Sequence, residues 1–474
     1  YEAIFSGADY ADARYVSGKL QSISMRNGKT EIVMENEDKG FGIRVLAKGA
    51  WGFASTCKED EKSIKKCAKD AVKTAKASSK VKKEDVDIGS VRPVNAKYRT
   101  HIKKEPFDVP LEEKIEILLE AHQKMKDFEK VNLTEGEINL WKQTTDFLSS
   151  EGSFIEQEIY HTGGGVYATT QEGNEVQVRS YPAALGGDYR AAGFEFIEEL
   201  DIAGNAAKLA DEASKLLKAP QCPQGKTDLI LTGSQLALQV HESCGHPIEL
   251  DRVLGMEASY AGTSFLTPEK QGNFKYGSEE VNITADATLE GGLGSFGYDH
   301  EGIPAQRTEI VKKGIFMDYL TSRETASKFG RESNATMRAD GWNRIPLIRM
   351  TNINLEPGDW DIEEIIKDTS DGIIMENTRS WSIDEKRINF QFGTEVAYKI
   401  KDGSIEGLLK NPTYTGITPE FWGNCDAVAN KKTWRLWGIP GCGKGEPMQV
   451  MHVGHGASAA RFKNTTVGVG KWKD

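Results

Sequence analysis

The residues best suited to chemistry are Val240-His241-Glu242-Ser243-Cys244-Gly245-His246-Pro247, which combine two imidazoles with a carboxylate directly after the first. Hydrolytic zinc sites are built from such sets. Imidazole nitrogen is a borderline ligand that suits zinc, and a Glu beside the first His reaches the water the ion activates without itself binding the ion. His241 and His246 are therefore candidate metal ligands, and Glu242 is the candidate general base. The spacing differs from that of an HExxH helix, where the two histidines lie about 40° apart around the axis. Five residues of ideal helix rotate His246 about 140° away from His241, too far to share an ion, so the helix is expected to bulge or unwind between them. Gly245 tolerates nonhelical dihedrals, and Pro247 disfavours helical geometry at His246, which puts the second ligand just past the last regular turn.

Catalytic zinc usually takes three protein ligands and leaves a position for water. Cys425, Cys442, His452, His455, Glu249 and His300 all follow the histidine pair and are candidates for the third. His455 is also expected in the same pocket, stabilising an oxyanion or protonating a leaving amine. His300 reads as an ordinary hydrogen-bonded histidine. Glu249 and Asp251 read as groups that fix the loop or orient the histidines, and Cys244 as a small buried filler. Two glycine-rich matches carry no chemistry. Gly292 to Gly297 fits GxGxxG but no helical pattern follows, and Gly438 to Lys444 fits GxxxxGK but is followed by Gly445, not Ser or Thr.

The elements that must position these groups follow from periodicity. One clear helix starts at Ser234, a suitable N-cap, after a short apolar strand, Leu229 to Leu231. Upstream, the first fifty residues alternate apolar and polar positions, with turns expected at Asn27-Gly28 and Lys39-Gly40, as an antiparallel meander. An amphipathic helix from about Asp60 to Ser78 presents its lysines to solvent. A polar connection over 86–100 leads to a second helix, Leu111 to Phe128, with His122 at its surface or core edge. Strand-like runs from Val131 to Val178 and a third helix, Ala203 to Lys218, follow. Pro220-Gln221-Cys222-Pro223 marks the main boundary. The expected fold is α+β: an N-terminal α/β sandwich-like region, 1–220, in two units of about 1–90 and 100–220, then a β-rich C-terminal domain, 221–474, carrying the metal-site helix.

Composition narrows the function. Acidic residues outnumber basic ones, 71 to 60, giving a net charge of −11 that argues against a nucleic-acid surface. No stretch approaches the roughly 20 apolar residues of a membrane helix, and nothing in the sequence resembles a signal peptide, so a cytoplasmic protein is expected. The six cysteines are scattered over 474 residues, unlike a disulfide framework.

His-Glu-x-x-Gly-His followed by Glu249 and Asp251 resembles the signature of the TldD/PmbA family of metallopeptidases. So do Tyr10-Ala11-Asp12-Ala13-Arg14-Tyr15, the run Gly49 to Thr56, Asp299-His300-Glu301-Gly302 with its continuation to Thr308, and Arg349-Met350-Thr351-Asn352. The resemblance spans nearly the whole chain and favours the TldD branch, which bears the histidines. It selects Cys442, in the expected loop Gly441-Cys442-Gly443-Lys444, as third ligand of one zinc per chain. It further implies a homodimer, or a heterodimer with a related subunit, and a confined site admitting extended or unfolded peptides as an added strand. The implied activity is peptide hydrolysis with Glu242 as base. The alternatives are a peptide-binding scaffold or partner subunit with a structural metal, and an amidase acting on a small non-peptide amide.

Overall fold

The structure is a computed structural model that describes residues 1–257, 262–445 and 447–470. It is α+β, with strand outweighing helix, 44% to 21%. Strands Tyr10–Arg26 and Lys29–Ala47 form a long hairpin. Its turn, Asn27-Gly28, has both residues at positive φ, as a tight two-residue hairpin turn requires. The expected second turn at Lys39-Gly40 is absent. The strand runs through it, and the chain reverses at Lys48-Gly49 instead. Gly40 serves close approach: a Cβ there would lie 2.5 Å from the Trp342 ring. Helix Glu61–Ser78 starts at Asp60, whose carboxylate accepts from the Ser63 N–H at 2.9 Å. It buries Cys67, Ala68, Ala71, Val72 and Ala75 and leaves its lysines outside.

The hairpin belongs to an eight-stranded sheet that continues through Val131–Ser149 and Phe154–Glu172. Strand Asn95–Arg99 pairs parallel with Phe154–Glu172 at one edge, within the segment read as a polar connection. Its side chains are half-exposed or exposed throughout, and only Ala96 and Tyr98 mark the inner face of a five-residue strand. Helices Leu111–Met125 and Ile202–Lys218 cover one face of the sheet through Leu118, Ala121, Leu209 and Ala213.

Beyond Cys222, strand Gly225–Leu231 pairs with Asp371–Ile383 on one side and Ala460–Val469 on the other. Pro412–Ile417 and Asn389–Lys401 complete a ring, because Asn389–Lys401 also pairs with Asp371–Ile383. Five strands thus close on themselves around Leu229, Leu231, Met375, Phe392, Tyr414 and Phe462. A separate hairpin, Arg435–Lys444 with Gln449–Ala457, lies beside helix Gly233–Val240. Buried ion pairs tie the N-terminal sheet to this half: Arg44 bridges Asp12 at 2.8 Å and Glu301 at 3.0 Å. Among the described residues no helix is long and apolar enough to cross a membrane.

The helix over the first hairpin is seated by Gly52, where a Cβ would lie 2.2 Å from the Ala71 carbonyl oxygen. Gly52→Val is expected to destabilise the protein by about 3 kcal/mol through overpacking against backbone. A lowered urea midpoint would register this. Gly407→Val, where the added Cβ meets nothing within 4 Å, should leave the midpoint in place.

Candidate metal centre

Helix Gly233–Val240 is buried on all sides, which suits its run of apolar residues. One phenol links its two glutamines: Gln235 donates to the Tyr414 hydroxyl, which donates to Gln239, each at 2.9 Å. The expected N-cap at Ser234 is corrected. The helix begins at Gly233 after Thr232, and Ser234 lies inside the first turn, donating to Asn377 Oδ1 at 2.7 Å. The helix then widens into a π-turn, His241–Gly245, closed by the His246 N–H donating to the His241 carbonyl at 3.1 Å. This turn absorbs the five-residue spacing and brings the two imidazoles together, with ring centroids 4.8 Å apart. His246 itself keeps helical dihedrals, φ −66° and ψ −42°, despite Pro247. The pre-proline bias is overridden by the i→i+5 bond that His246 donates. Gly245 gives Met350 room, since a Cβ there would lie 2.2 Å from Met350 Sδ and the methionine would have to move.

Hydrogen bonds fix which nitrogen each histidine presents. His246 Nδ1 donates to Glu249 Oε2 at 3.0 Å, leaving Nε2 unprotonated and 4.0 Å from Cys442 Sγ. His455 Nδ1 donates to the Ile353 carbonyl at 3.1 Å, so its Nε2 accepts from His241 Nδ1 at 2.9 Å. His241 is left with Nε2 as its free lone pair. Burial holds all three imidazoles below their ordinary pKa, the neutral form that ligation needs.

Cys442 lies on strand Arg435–Lys444, not in the expected loop. A bulge between Ile439 and Cys442 sets two residues opposite one, so Cys442 pairs with Met451. Met451, Val453 and His455 alternate onto one face, and the bulge places Cys442 on that face. Burial alone would raise its thiol, but the Arg349 cation and His246 bring it below the usual range. Donor atoms of His241, His246 and Cys442 all lie within 4.8 Å of one another, the one such grouping of three among the described residues. Tetrahedral zinc with these ligands sets its donors about 3.5 Å apart, so the set fits zinc with a small closure.

Glu242 faces the same cavity of about 660 Å³ as the three, and its carboxylate is held by the Arg387 guanidinium. Leu185, Trp381, Ile383 and Met448 supply apolar wall. His455 does not line the cavity. It stands behind His241 with both nitrogens engaged, so its place is that of an orienting group, in contrast to the proton donor expected from sequence. His300 and His452 lie elsewhere, around a second cavity. Cys244 is fully buried, its thiol pushed up to about 12 by burial.

Three residues that sequence reasoning passed over complete the centre. Arg387 occupies a hairpin turn at φ 66° between the strands Asp371–Ile383 and Asn389–Lys401, where Asp384 accepts the N–H groups of Ile388 and Asn389. Lys444 is fully buried, bonding both oxygens of Asp251 at 2.8 and 2.9 Å and lying 3.3 Å from Glu249. Arg252 pairs with Glu249 at 3.0 Å. Burial would raise the Glu249 carboxyl, but Lys444 and Arg252 hold it well below the carboxylate range. In the sequence Lys444 stands out as part of a phosphate-loop pattern and of the Cys442 segment, not as a buried cation.

An α+β fold with a closed C-terminal strand ring and a buried His/His/Cys cluster beside a Glu defines a metallopeptidase-like architecture. Family models described as PmbA/TldA metallopeptidase domain 1, central domain and C-terminal domain match residues 11–75, 104–219 and 224–469. The chain belongs to this PmbA/TldD family. A metalloprotease of Methanocaldococcus jannaschii is 32% identical over 97% of each chain, and one of Methanothermobacter thermautotrophicus is 33% identical over 97% of this chain and 95% of its own. A protein of Saccharolobus solfataricus named zinc metalloprotease TldD homolog is 23% identical over 87% of both. Among solved structures, TldE from Thermococcus kodakarensis superposes with a TM-score of 0.69 at 16% identity, covering 98% of each chain. A Thermotoga maritima protein described as a candidate modulator of DNA gyrase gives 0.75 at 18%, covering 97% of this chain and 96% of its own. These two establish likeness of fold.

The Lys444 network predicts a stability effect separate from metal binding. Lys444→Met leaves Asp251 and Glu249 buried with less compensation and should cost about 3–5 kcal/mol, measured by urea unfolding of metal-free protein.

Proposed function

We propose that the chain is a zinc-dependent peptidase that hydrolyses extended or unfolded peptides, with His241, His246 and Cys442 as ligands of one zinc and Glu242 as general base. The observation that carries this reading is the convergence of three donor atoms within 4.8 Å in a cavity that Glu242 also faces. Zinc bound there supplies Lewis acidity toward a peptide carbonyl and toward water. Glu242 takes the proton of the attacking water and returns it to the leaving amine, held in place by Arg387. Glu249 orients His246, and His455 orients His241, which would leave both Nε2 lone pairs available to hold a metal. Leu185, Trp381, Ile383 and Met448 accept apolar side chains of the substrate. The reading includes a division at residue 220 into an N-terminal region and the metal-bearing C-terminal domain, a cytoplasmic location, and assembly with a second copy or a related subunit.

The test measures metal per chain in wild type, His246→Ala and Cys442→Ala, each checked for folding, and then cleavage of an unstructured peptide library. Wild type should carry about one zinc and both variants far less. Glu242→Gln should keep its metal while losing about a hundredfold or more of turnover. Unchanged zinc in either ligand variant would remove that residue from the set. Wild type that binds zinc and peptide but cleaves nothing would make the protein a peptide-binding scaffold, and exclusive turnover of small amides would make it an amidase.

A further inference from the structure

A second cavity, of about 290 Å³, lies between the N-terminal sheet and the strand Gln449–Ala457. One buried cation on its wall is uncompensated. Arg338, 7% exposed, donates only to the backbone carbonyls of His452 and Met350, and its Nε–H is buried without an acceptor. Behind the wall, Arg14 is likewise buried and donates to His300 Nδ1 and the Arg344 carbonyl. Most other buried arginines have carboxylate partners: Arg44 with Asp12 and Glu301, Arg179 with Glu395, Arg252 with Glu249, Arg323 with Glu151, and Arg461 with Asp426, whereas Arg349 has none among the described residues and donates to the Gln449 and Cys442 carbonyls beside the metal cavity. Arg14 and Arg338 have none among the described residues. The nearby carboxylates bond other groups, although the Asp12 Oδ1 is buried without a donor. Asp299 accepts the N–H groups of Glu301, Ile303 and Met337, Asp340 accepts that of Val450, and Asp38 accepts the Trp342 indole N–H.

The neighbouring donor is also fixed. His300 Nδ1 faces both Arg14 Nη1 at 3.1 Å and the Ala339 N–H at 2.9 Å, so it accepts, and its proton is on Nε2. Burial keeps the His300 ring neutral, well below its usual pKa. The wall also carries the rings of Trp141, Trp342, Phe296 and Tyr298 among polar side chains, and Arg338 lies 5.4 Å from the Phe296 ring centroid. An uncompensated buried guanidinium is costly unless an anion meets it. Planar two-oxygen anions match its fork of donors.

We propose that this cavity is a second ligand site, which takes a small carboxylate bearing an aromatic body: the anion meets Arg338 and His300 Nε2–H, and the ring lies among Trp141, Trp342 and Phe296. The site is separate from the metal cavity and does not rest on the peptidase reading. The two flank one strand, with Val450 on the border of both.

Calorimetric titration of the zinc-loaded full chain with sodium 3-phenylpropionate and with neutral 3-phenylpropanamide tests this. The carboxylate should bind about tenfold more tightly than the amide or better, the difference a charged hydrogen-bond partner makes. Arg338→Gln should abolish that preference. Gly18→Met fills the cavity from the opposite strand, and a Cβ at Gly18 meets only the Asp38 carbonyl oxygen at 4.0 Å. This variant should keep its melting temperature and metal content and lose binding of both compounds. If Arg338→Gln fails to fold, Gly18→Met decides. Equal binding of acid and amide to wild type, binding of neither, or undiminished acid binding to Gly18→Met would overturn the proposal, the last by moving the carboxylate elsewhere, for instance to the metal.

Discussion

The hydrogen bond from the His246 N–H to the His241 carbonyl is the constraint on which the candidate centre depends. It skips one residue beyond the ordinary helical partner, and that extra step brings two imidazoles set five apart onto one side. The surroundings hold the widened turn. The helix feeding it is enclosed in the C-terminal core, Met350 fills the space a Cβ at Gly245 would need, and the Tyr276 and Trp422 side chains bond the carbonyl and hydroxyl of Ser243 inside the turn. A π-turn exposed to solvent would be free to relax to regular helix. This one has no room to do so.

Electrostatics hold Cys442 to the two histidines. Lys444 is two residues beyond Cys442 and is buried against Glu249 and Asp251, three and five residues beyond His246. Pairing a buried ammonium with buried carboxylates is favourable only when the geometry leaves no charge alone, so the strand and the loop cannot separate independently. The same Glu249 accepts from His246. One carboxylate therefore both sets a ligand tautomer and anchors the strand that brings the thiol.

Periodicity and chemistry made part of this readable in the sequence. The helix at 61–78 declared itself through Asp60 and its alternation of lysine with alanine, and His241, Glu242 and His246 stood out because few arrangements place two histidines beside a carboxylate. What stayed hidden depends on distant contacts. Lys39-Gly40 looks like a turn until Trp342, three hundred residues later, is seen to occupy the space. Strand Asn95–Arg99 is short, with only Ala96 and Tyr98 to mark its less exposed face. Arg387 sits in a turn whose residues resemble those of any surface hairpin, and nothing local says that its side chain meets Glu242. The orienting place of His455 required knowing which way the hairpin faces.

Both elements that carry the clustered histidines and cysteine are one residue longer than regular geometry allows. The helix gains one in its π-turn, and the strand gains one in the bulge before Cys442. Because side chains alternate along a strand, removing the bulge would turn the cysteine to the opposite face. Much of the centre is thus specified by counting: by how many peptide units separate the donors, independent of what those units are. Substitution scanning would read Pro440 or Gly441 as tolerant positions, whereas deleting either would dismantle the cluster. In such a protein, divergence among relatives should accumulate as exchanges at these places and almost never as gaps.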